Sequence, residues 1–418
     1  GQVALAQEVV QTVDLPHPIY IDSADGPYLN DLDGNRYIDL TGGFGPNVLG
    51  NKPEVVEKAL ASQIKKGWHY GIPGYGQADL AELIKESSPA VDEVMFCNSG
   101  SEATMFAFRA ARAFTGKRVV ALFDGSYHGI HDYALVRADL KSERSNPSSI
   151  TLGAGIPEEV SRDLMLMLPY RDKNAYELIR EYKDDLALVV IEPVQSSNPR
   201  LDNQDFLNGL RDVCTECEVL LMFDEVITGF GRTGSVLGSD AMDLEPDHVV
   251  MGKALTSGYF PLSAVSLGSS LYEGLEMGSE RYGVLAHAGT FSAHPVGAAA
   301  ALKTLEIIER DKLVDHAKKM GCRLKEGLMP LTEHPLIGDV RTFGLGVGLD
   351  FLLRDENDLV LNNDSDERSV EMYEKLLAIG MIARPAGRSL VIAPPLIVQS
   401  KEIDDIVSRV STVLDSMA

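Results

Sequence analysis

Basic residues are scarce in this chain: 38 lysines and arginines stand against 62 aspartates and glutamates, a formal charge of -24. A surface of that sign repels phosphate backbones and anionic lipid headgroups, so neither nucleic acid nor a membrane is an expected partner. Long apolar runs are missing too. No stretch approaches the ~18 residues of a membrane-spanning helix, and residues 1–13 lack the basic region and apolar core of an export signal. A cytoplasmic location is the expectation. Cysteine is also rare, at Cys97, Cys214, Cys217 and Cys322 only, too few and too scattered for a secreted disulfide framework. Cys214-Thr-Glu-Cys217 spells C-x-x-C, but it closes a helical pattern (Phe206, Leu207, Leu210, Val213) and no second pair follows at zinc spacing. Reduced thiols and no metal site are predicted.

With 44% hydrophobic and 24% charged residues the composition is that of an ordinary globular protein, which excludes disorder and fibrous folds. At ~150 residues per domain the length suggests two or three domains, or one elaborated domain. Tyr28–Leu40 alternates around Asp33-Gly34 and reads as a hairpin. Helical spacing covers Pro53–Lys66 and Ala78–Glu86. Short apolar runs then recur at Val94–Cys97, Val119–Phe123, Leu186–Ile191, Val219–Phe223, His248–Met251 and Leu262–Leu267. Being almost continuously apolar and separated by helix-sized segments, they read as buried parallel strands of an α/β fold. A long helix over Pro295–Ile308 is followed by a second alternating region running to the C-terminus. The pattern predicts a large central domain over 53–308 and a smaller one assembled from 1–52 and 309–418. The polar stretch Asp139–Asp163 reads as a long functional or mobile connection, and the acidic segment Asp355–Glu367 as solvated surface.

Three features carry chemistry. Val219–Phe223 ends at Asp224-Glu225, and His248–Gly252 ends at Lys253. In open α/β sheets ligands bind at the strand ends, so an acid and an amine on two such rims can meet in one crevice. A salt bridge capping the sheet is the plainer alternative. The third feature is the strand Val94–Cys97, which runs through Asn98-Ser-Gly-Ser-Glu-Ala103 into a helix. A small-residue turn at a helix start offers unpaired amides and a positive dipole end to a phosphate, although Ser101 would also serve as a simple cap. A phosphate seat, an acid and a lysine on one rim suit a phosphorylated aldehyde that needs a Schiff-base amine and a pyridinium partner.

Seven motifs in order then resemble the class III aminotransferases of the aspartate-aminotransferase fold type: Asn98–Ala103, Ser126-Tyr-His-Gly129, Glu192-Pro-Val194, Phe223-Asp-Glu-Val-Ile-Thr-Gly-Phe-Gly-Arg-Thr-Gly234, Gly252-Lys-Ala254, Gly289-Thr-Phe-Ser-Ala-His-Pro295 and Pro394-Pro-Leu396. The resemblance implies the fold type I of pyridoxal-phosphate-dependent transferases, with a mostly parallel central sheet in the large domain. It implies pyridoxal 5'-phosphate as cofactor, bound by Lys253 as a Schiff base and held at its pyridine nitrogen by Asp224. Val226 and Tyr127 would pack the two ring faces, and Ser99, Gly100 and Ser101 would seat the phosphate. His128 would complete the pocket, and Glu192 would be either a pocket acid or a satisfied strand-end residue. Thr290 would reach the phosphate of a neighbouring subunit, which implies a homodimer with shared active sites. Arg384 matches by position an arginine that some ω-aminotransferases turn towards a carboxylate, with a surface arginine as the alternative. Trp68, the single tryptophan, and Tyr70 are candidates for the pocket mouth, or in the case of Trp68 for the core.

The implied activity moves an amino group from an amino acid or amine donor to an aldehyde or ketone acceptor. Two other readings stand beside it. Thr41–Gly50 and Glu192–Ser196 resemble glutamate-1-semialdehyde aminomutases and the aminotransferase modules of lipopeptide and prodigiosin-type pathways. The former would make the chain an isomerase, and the latter points to a long-chain or pathway intermediate as acceptor. Thr228-Gly-Phe-Gly-Arg232 keeps the aminotransferase form where aminomutases usually read Thr-Gly-Phe-Arg. Gly229-Phe-Gly-Arg-Thr-Gly234 also fits G-x-G-x-x-G, the mark of an NAD-dependent oxidoreductase. However, Ser235–Asp247 shows no helical repeat, so no helix start is expected there for a pyrophosphate.

Overall fold

The computed structural model describes residues 19–196, 199–200, 202–284, 287–352 and 367–418. The chain opens with strands β1 (Ile21–Asp25), β2 (Tyr28–Asp31) and β3 (Arg36–Asp39). The expected hairpin is β2–β3, antiparallel with Leu29 opposite Tyr37. Its turn is held by Asp31, whose carboxylate accepts from the amides of Asp33 (3.0 Å) and Asn35 (2.7 Å).

The central sheet collects β4 (Glu93–Cys97), β5 (Val119–Phe123), β8 (Met165–Leu168), β9 (Leu186–Ile191), β10 (Leu220–Asp224), β11 (His248–Met251) and β12 (Ser263–Leu267). Their order across the sheet is β4-β12-β11-β10-β9-β5-β8. Every residue of β5, β9, β11 and β12 is buried, which explains runs without polar alternation. One expectation fails: β12 is antiparallel to both its neighbours, β11 and β4. The connection 252–262 is too short for the crossover that a parallel partner requires. The stretch Asp139–Asp163 is also more ordered than predicted. Within it β7 (Ser149–Thr151) pairs with β6 (Val136–Ala138), and the helix Glu158–Leu164 begins there. Of Asp355–Glu367, only Glu367 belongs to the described residues.

Helix Gly100–Thr115 lies against this sheet with Ala103, Thr104, Phe106, Ala107, Ala110 and Ala111 buried. Ser99 caps its start and Gly116, at φ 70, ends it in the left-handed region. The helix Pro295–Arg310 packs against the helices Glu54–Lys66 and Tyr75–Ser87. Beyond it β13 (Ile337–Thr342), β14 (Val347–Phe351), β16 (Arg384–Ala386) and β17 (Ser389–Ile392) form a second sheet, while β15 (Met381–Ile382) joins β3. The register is parallel, with Met381 opposite Ile38, so residues from both ends of the chain share one sheet. Cys97 and Cys214 are buried free thiols whose burial pushes them up to about 12, far from reactive thiolates.

Candidate active site

Parallel pairing sets the site. Asp224 closes β10 opposite Val250 of β11, and the chain passes Met251 and Gly252 to reach Lys253 on the same rim. Lys253 opens a 3-10 turn, Lys253–Thr256, at φ 41. A left-handed non-glycine residue costs roughly 1–3 kcal/mol and persists where its surroundings dictate it. Burial pushes the Lys253 amine down to about 8, against the opposing pull of Asp224 and Glu192.

A cavity of about 380 Å³ brings together Ser99, Gly100, Ser101, Tyr127, His128, Glu192, Asp224, Val226 and Lys253. The helix start lies where its sequence suggests, but its cap is Ser99 and not the expected Ser101, which is already inside the first turn. Ser99 accepts the Glu102 amide on its hydroxyl (3.2 Å) and the Ala103 amide on its carbonyl (3.0 Å), so the amides of Gly100 and Ser101 have no partner within the helix. Ser263 of β12 donates its hydroxyl to the Ser99 carbonyl (2.7 Å), fixing this turn to the sheet.

Asp224 is only 5% exposed. Its Oδ1 accepts from the Val226 amide (3.1 Å), and its Oδ2 lies 2.9 Å from Nδ1 of the buried His128. His128 donates there, because a carboxylate only accepts. Glu192 receives the amides of Tyr127 and Ser196, each at 3.0 Å. Burial raises its carboxyl, with the His128 ring opposing. It therefore anchors the turn that carries Tyr127 and His128.

The remaining predicted residues lie outside this cavity. Arg384 lines an adjoining cavity of about 40 Å³ that shares Ile227 with the first. Its guanidinium sits 5.3 Å from the centre of the Phe44 ring, its Nε has no partner, and no carboxylate lines that cavity among the described residues. Trp68 is not among the cavity's lining residues; it lies edge-on to the lining residue Phe260, and at 53% exposed it is not a core residue. Tyr70 accepts from Gln63 (2.8 Å). Thr290 is exposed, and its carbonyl lies 2.7 Å from Nε2 of His69. Pro46, Ile227, Thr256, Gly258 and Phe260 also line the main cavity; Pro46 and Ile227 fall inside quoted motifs without a site role, and the other three fall outside every motif. Glycine was a usable signal: Gly258 sits at φ 78, where a Cβ would fall 2.5 Å from Asn47 Oδ1.

The dinucleotide reading needs one correction and then fails for another reason. A single helical turn, Gly238–Ala241, does follow the glycine-rich loop. Its first amides, Gly238 (2.7 Å) and Ser239 (2.6 Å), are already taken by the buried Glu225 carboxylate. A pyrophosphate has no donors there.

The sequence matches the family profile described as "Aminotransferase class-III" over residues 9–414. The chain belongs to this family. Among curated relatives of this class-III aminotransferase is the glutamate-1-semialdehyde 2,1-aminomutase of Sulfurisphaera tokodaii, 33% identical over 89% of this chain and 87% of the relative. The enzyme of the same name from Ignicoccus hospitalis is 39% identical over 75% of this chain and 72% of the relative. Among solved structures, a thermostable omega transaminase mutant from Pseudomonas jessenii superposes with TM-score 0.85 at 27% identity, covering 99% of this chain and 95% of that one. An omega transaminase from the same organism in complex with PMP gives TM-score 0.84 at 28% identity, covering 99% and 94%. The fold is that of the type I pyridoxal-phosphate transferases, and the chain is a pyridoxal-phosphate-dependent enzyme.

The residues present fit that cofactor. Amides at Gly100 and Ser101 without a partner in the helix suit its phosphate, and a Cβ on Gly100 would come within 3.1 Å of Val226 Cγ2, so the turn and Val226 lie close together. Gly129 sits at φ 112, where a Cβ would fall 2.5 Å from Ser101 Oγ. Gly129→Ala is therefore expected to lower stability by roughly 1–3 kcal/mol. It should also weaken cofactor retention on dialysis. Denaturant midpoint and residual cofactor absorbance measure the two effects; an unchanged value of both contradicts the close approach.

Proposed function

We propose that this class-III aminotransferase acts as a cytoplasmic homodimer, moving an amino group from a carboxylate-bearing amino donor to an aldehyde or ketone acceptor. The observation that carries the reading is the convergence of Lys253, Asp224 and the Gly100–Ser101 amides on one cavity, with Arg384 on the adjoining one. Bound pyridoxal phosphate supplies the electron sink that makes a substrate C–H acidic. Lys253 Nζ takes that proton and returns it elsewhere, a task for which an amine near neutrality is suited. Asp224, its carboxylate oriented by His128 and Val226, would hold a proton on the ring nitrogen. Val226 and Tyr127 would confine the ring, and Glu192 keeps the Tyr127–His128 turn in place.

Arg384 would receive the substrate carboxylate, since planar guanidinium matches carboxylate in a two-point contact. Arg384→Ala is expected to raise KM for amino-acid donors by about 10–100-fold, the scale of a lost charge-assisted bond. Amine donors without a carboxylate should change less than about threefold. Equal loss for both donor classes would remove Arg384 from recognition. The dimer is supported by large exposed apolar side chains, among them Ile72 (73%), Tyr75 (92%) and Phe291 (54%). Thr290 of the partner subunit would then approach the phosphate.

The curated relatives favour a second reading, an isomerase that moves nitrogen within one semialdehyde. Incubation with a panel of amino acids and amines, following the cofactor spectrum and keto-acid release, decides between them. Conversion of the cofactor to its amine form with keto-acid release supports intermolecular transfer. Isomerisation of glutamate-1-semialdehyde without any response to external donors overturns it.

A further inference from the structure

The phosphate seat and the His128 turn are tied together by hydrogen bonds that include two side chains outside the cavity lining, Thr104 and His131. Thr104, fully buried in the first turns of helix Gly100–Thr115, has its Oγ1 2.6 Å from the carbonyl of His128. The carbonyls of Gly100 (3.0 Å) and Ser101 (3.1 Å) lie farther away. A hydroxyl has a single hydrogen, and the shortest contact takes it. The same oxygen stands 3.1 Å from Nε2 of His131, where it can then only accept. His131 is thereby fixed as the Nε2–H tautomer, and its Nδ1 has no partner. Burial pushes the ring down to about 4, in keeping with a neutral imidazole carrying one proton. A second tie lies alongside: the Ile130 amide donates to Ser101 Oγ (3.1 Å), which leaves the serine's own hydrogen for a phosphate.

These bonds make the helix start and the turn 128–131 one body. One end of that body offers the Gly100 and Ser101 amides; the other carries the imidazole that orients Asp224. We propose that Thr104 and His131 are positioning residues: through the His128 carbonyl they fix the spacing between the phosphate seat and the acid at the ring nitrogen. The inference rests on the reading of the cavity as the cofactor site. It assigns function to two residues outside the motifs' recognised roles, one on a helix and one in the turn after Ser126–Gly129.

The test compares the parent protein with Thr104→Val, Thr104→Ser and His131→Phe. Two quantities are read: the dissociation constant of added pyridoxal phosphate for the cofactor-free protein, and the NMR signal of the His128 Nδ1 proton. Thr104→Val keeps the shape but strands a buried carbonyl and a buried N–H, so roughly tenfold weaker binding is expected together with a shifted or broadened His128 signal. Thr104→Ser should restore both. His131→Phe, which removes only the donor, should move both in the direction of Thr104→Val. Binding within about twofold of the parent with an unmoved His128 signal, whatever the melting temperature, would overturn the proposal. If Thr104→Val does not fold, the same pair of unchanged readings in His131→Phe overturns it. A parent that binds no pyridoxal phosphate sinks the cofactor-site reading itself, whereas a binding parent with indifferent variants sinks only the positioning role.

Discussion

Lys253→Ala is expected to give a folded protein that loses its cofactor on gel filtration and falls at least about 10⁴-fold in the half-reaction with an amino donor. On the proposed reading one side chain would carry two tasks, covalent retention and proton movement, and no neighbour would substitute for it. The pH dependence follows from burial. An ordinary lysine, at ~10.4, would be about 0.04% neutral at pH 7. With its amine pushed down to about 8, Lys253 is roughly a tenth neutral there. The lowered value means that the neutral nucleophile gains population as pH rises. Capture of pyridoxal phosphate by cofactor-free protein should therefore accelerate about tenfold per pH unit below about 8 and level off above it. Stopped-flow absorbance measures this. A break near 10 would mean that the low-dielectric surroundings do not act on Lys253 as described.

Asp224→Ala should separate retention from turnover. Lys253 remains, so the absorbance band of the covalently held cofactor is expected to persist, while kcat falls by roughly 10²–10³-fold, the scale of losing one fixed electrostatic stabiliser. The loss has a second component, because His128 then keeps its Nδ1–H in a buried site without an acceptor. Asp224→Glu, which retains the charge but lengthens the arm, should recover part of the rate. The measurements are single-turnover rates and the cofactor spectrum. Turnover within tenfold of the parent for Asp224→Ala would mean that the carboxylate does not govern the ring nitrogen.

Much of this site was legible because it sits at the ends of apolar strands. Burial writes β10 and β11 as continuous hydrocarbon, and a charged residue directly after such a run marks the rim. The direction of β12 was not legible from its composition, since Ser263–Leu267 is buried throughout and reads the same either way. The short connection from β11 held that information. Thr104 and His131 escaped notice because their role arises from contacts across the fold: a threonine inside an apolar helical stripe looks like packing. The single turn Gly238–Ala241 was missed because its cap is Glu225, remote in sequence and joined to it only by tertiary structure. Arg384 shows the opposite case. Its position was read by resemblance, but its place against Phe44, in a cavity that no carboxylate lines among the described residues, depends on how β16 lies in the fold.

The pairing of β15 with β3 has a practical corollary. Ile38 donates its amide to the Gly380 carbonyl (2.9 Å), and Leu40 donates to that of Ile382 (2.8 Å). A protein fragment stopping after the long helix at Arg310 would leave the opening ribbon with a bare, hydrogen-bond-hungry border. Expression trials with such a truncation should yield inclusion bodies, and supplying residues 311–418 as a separate polypeptide should bring material back into solution.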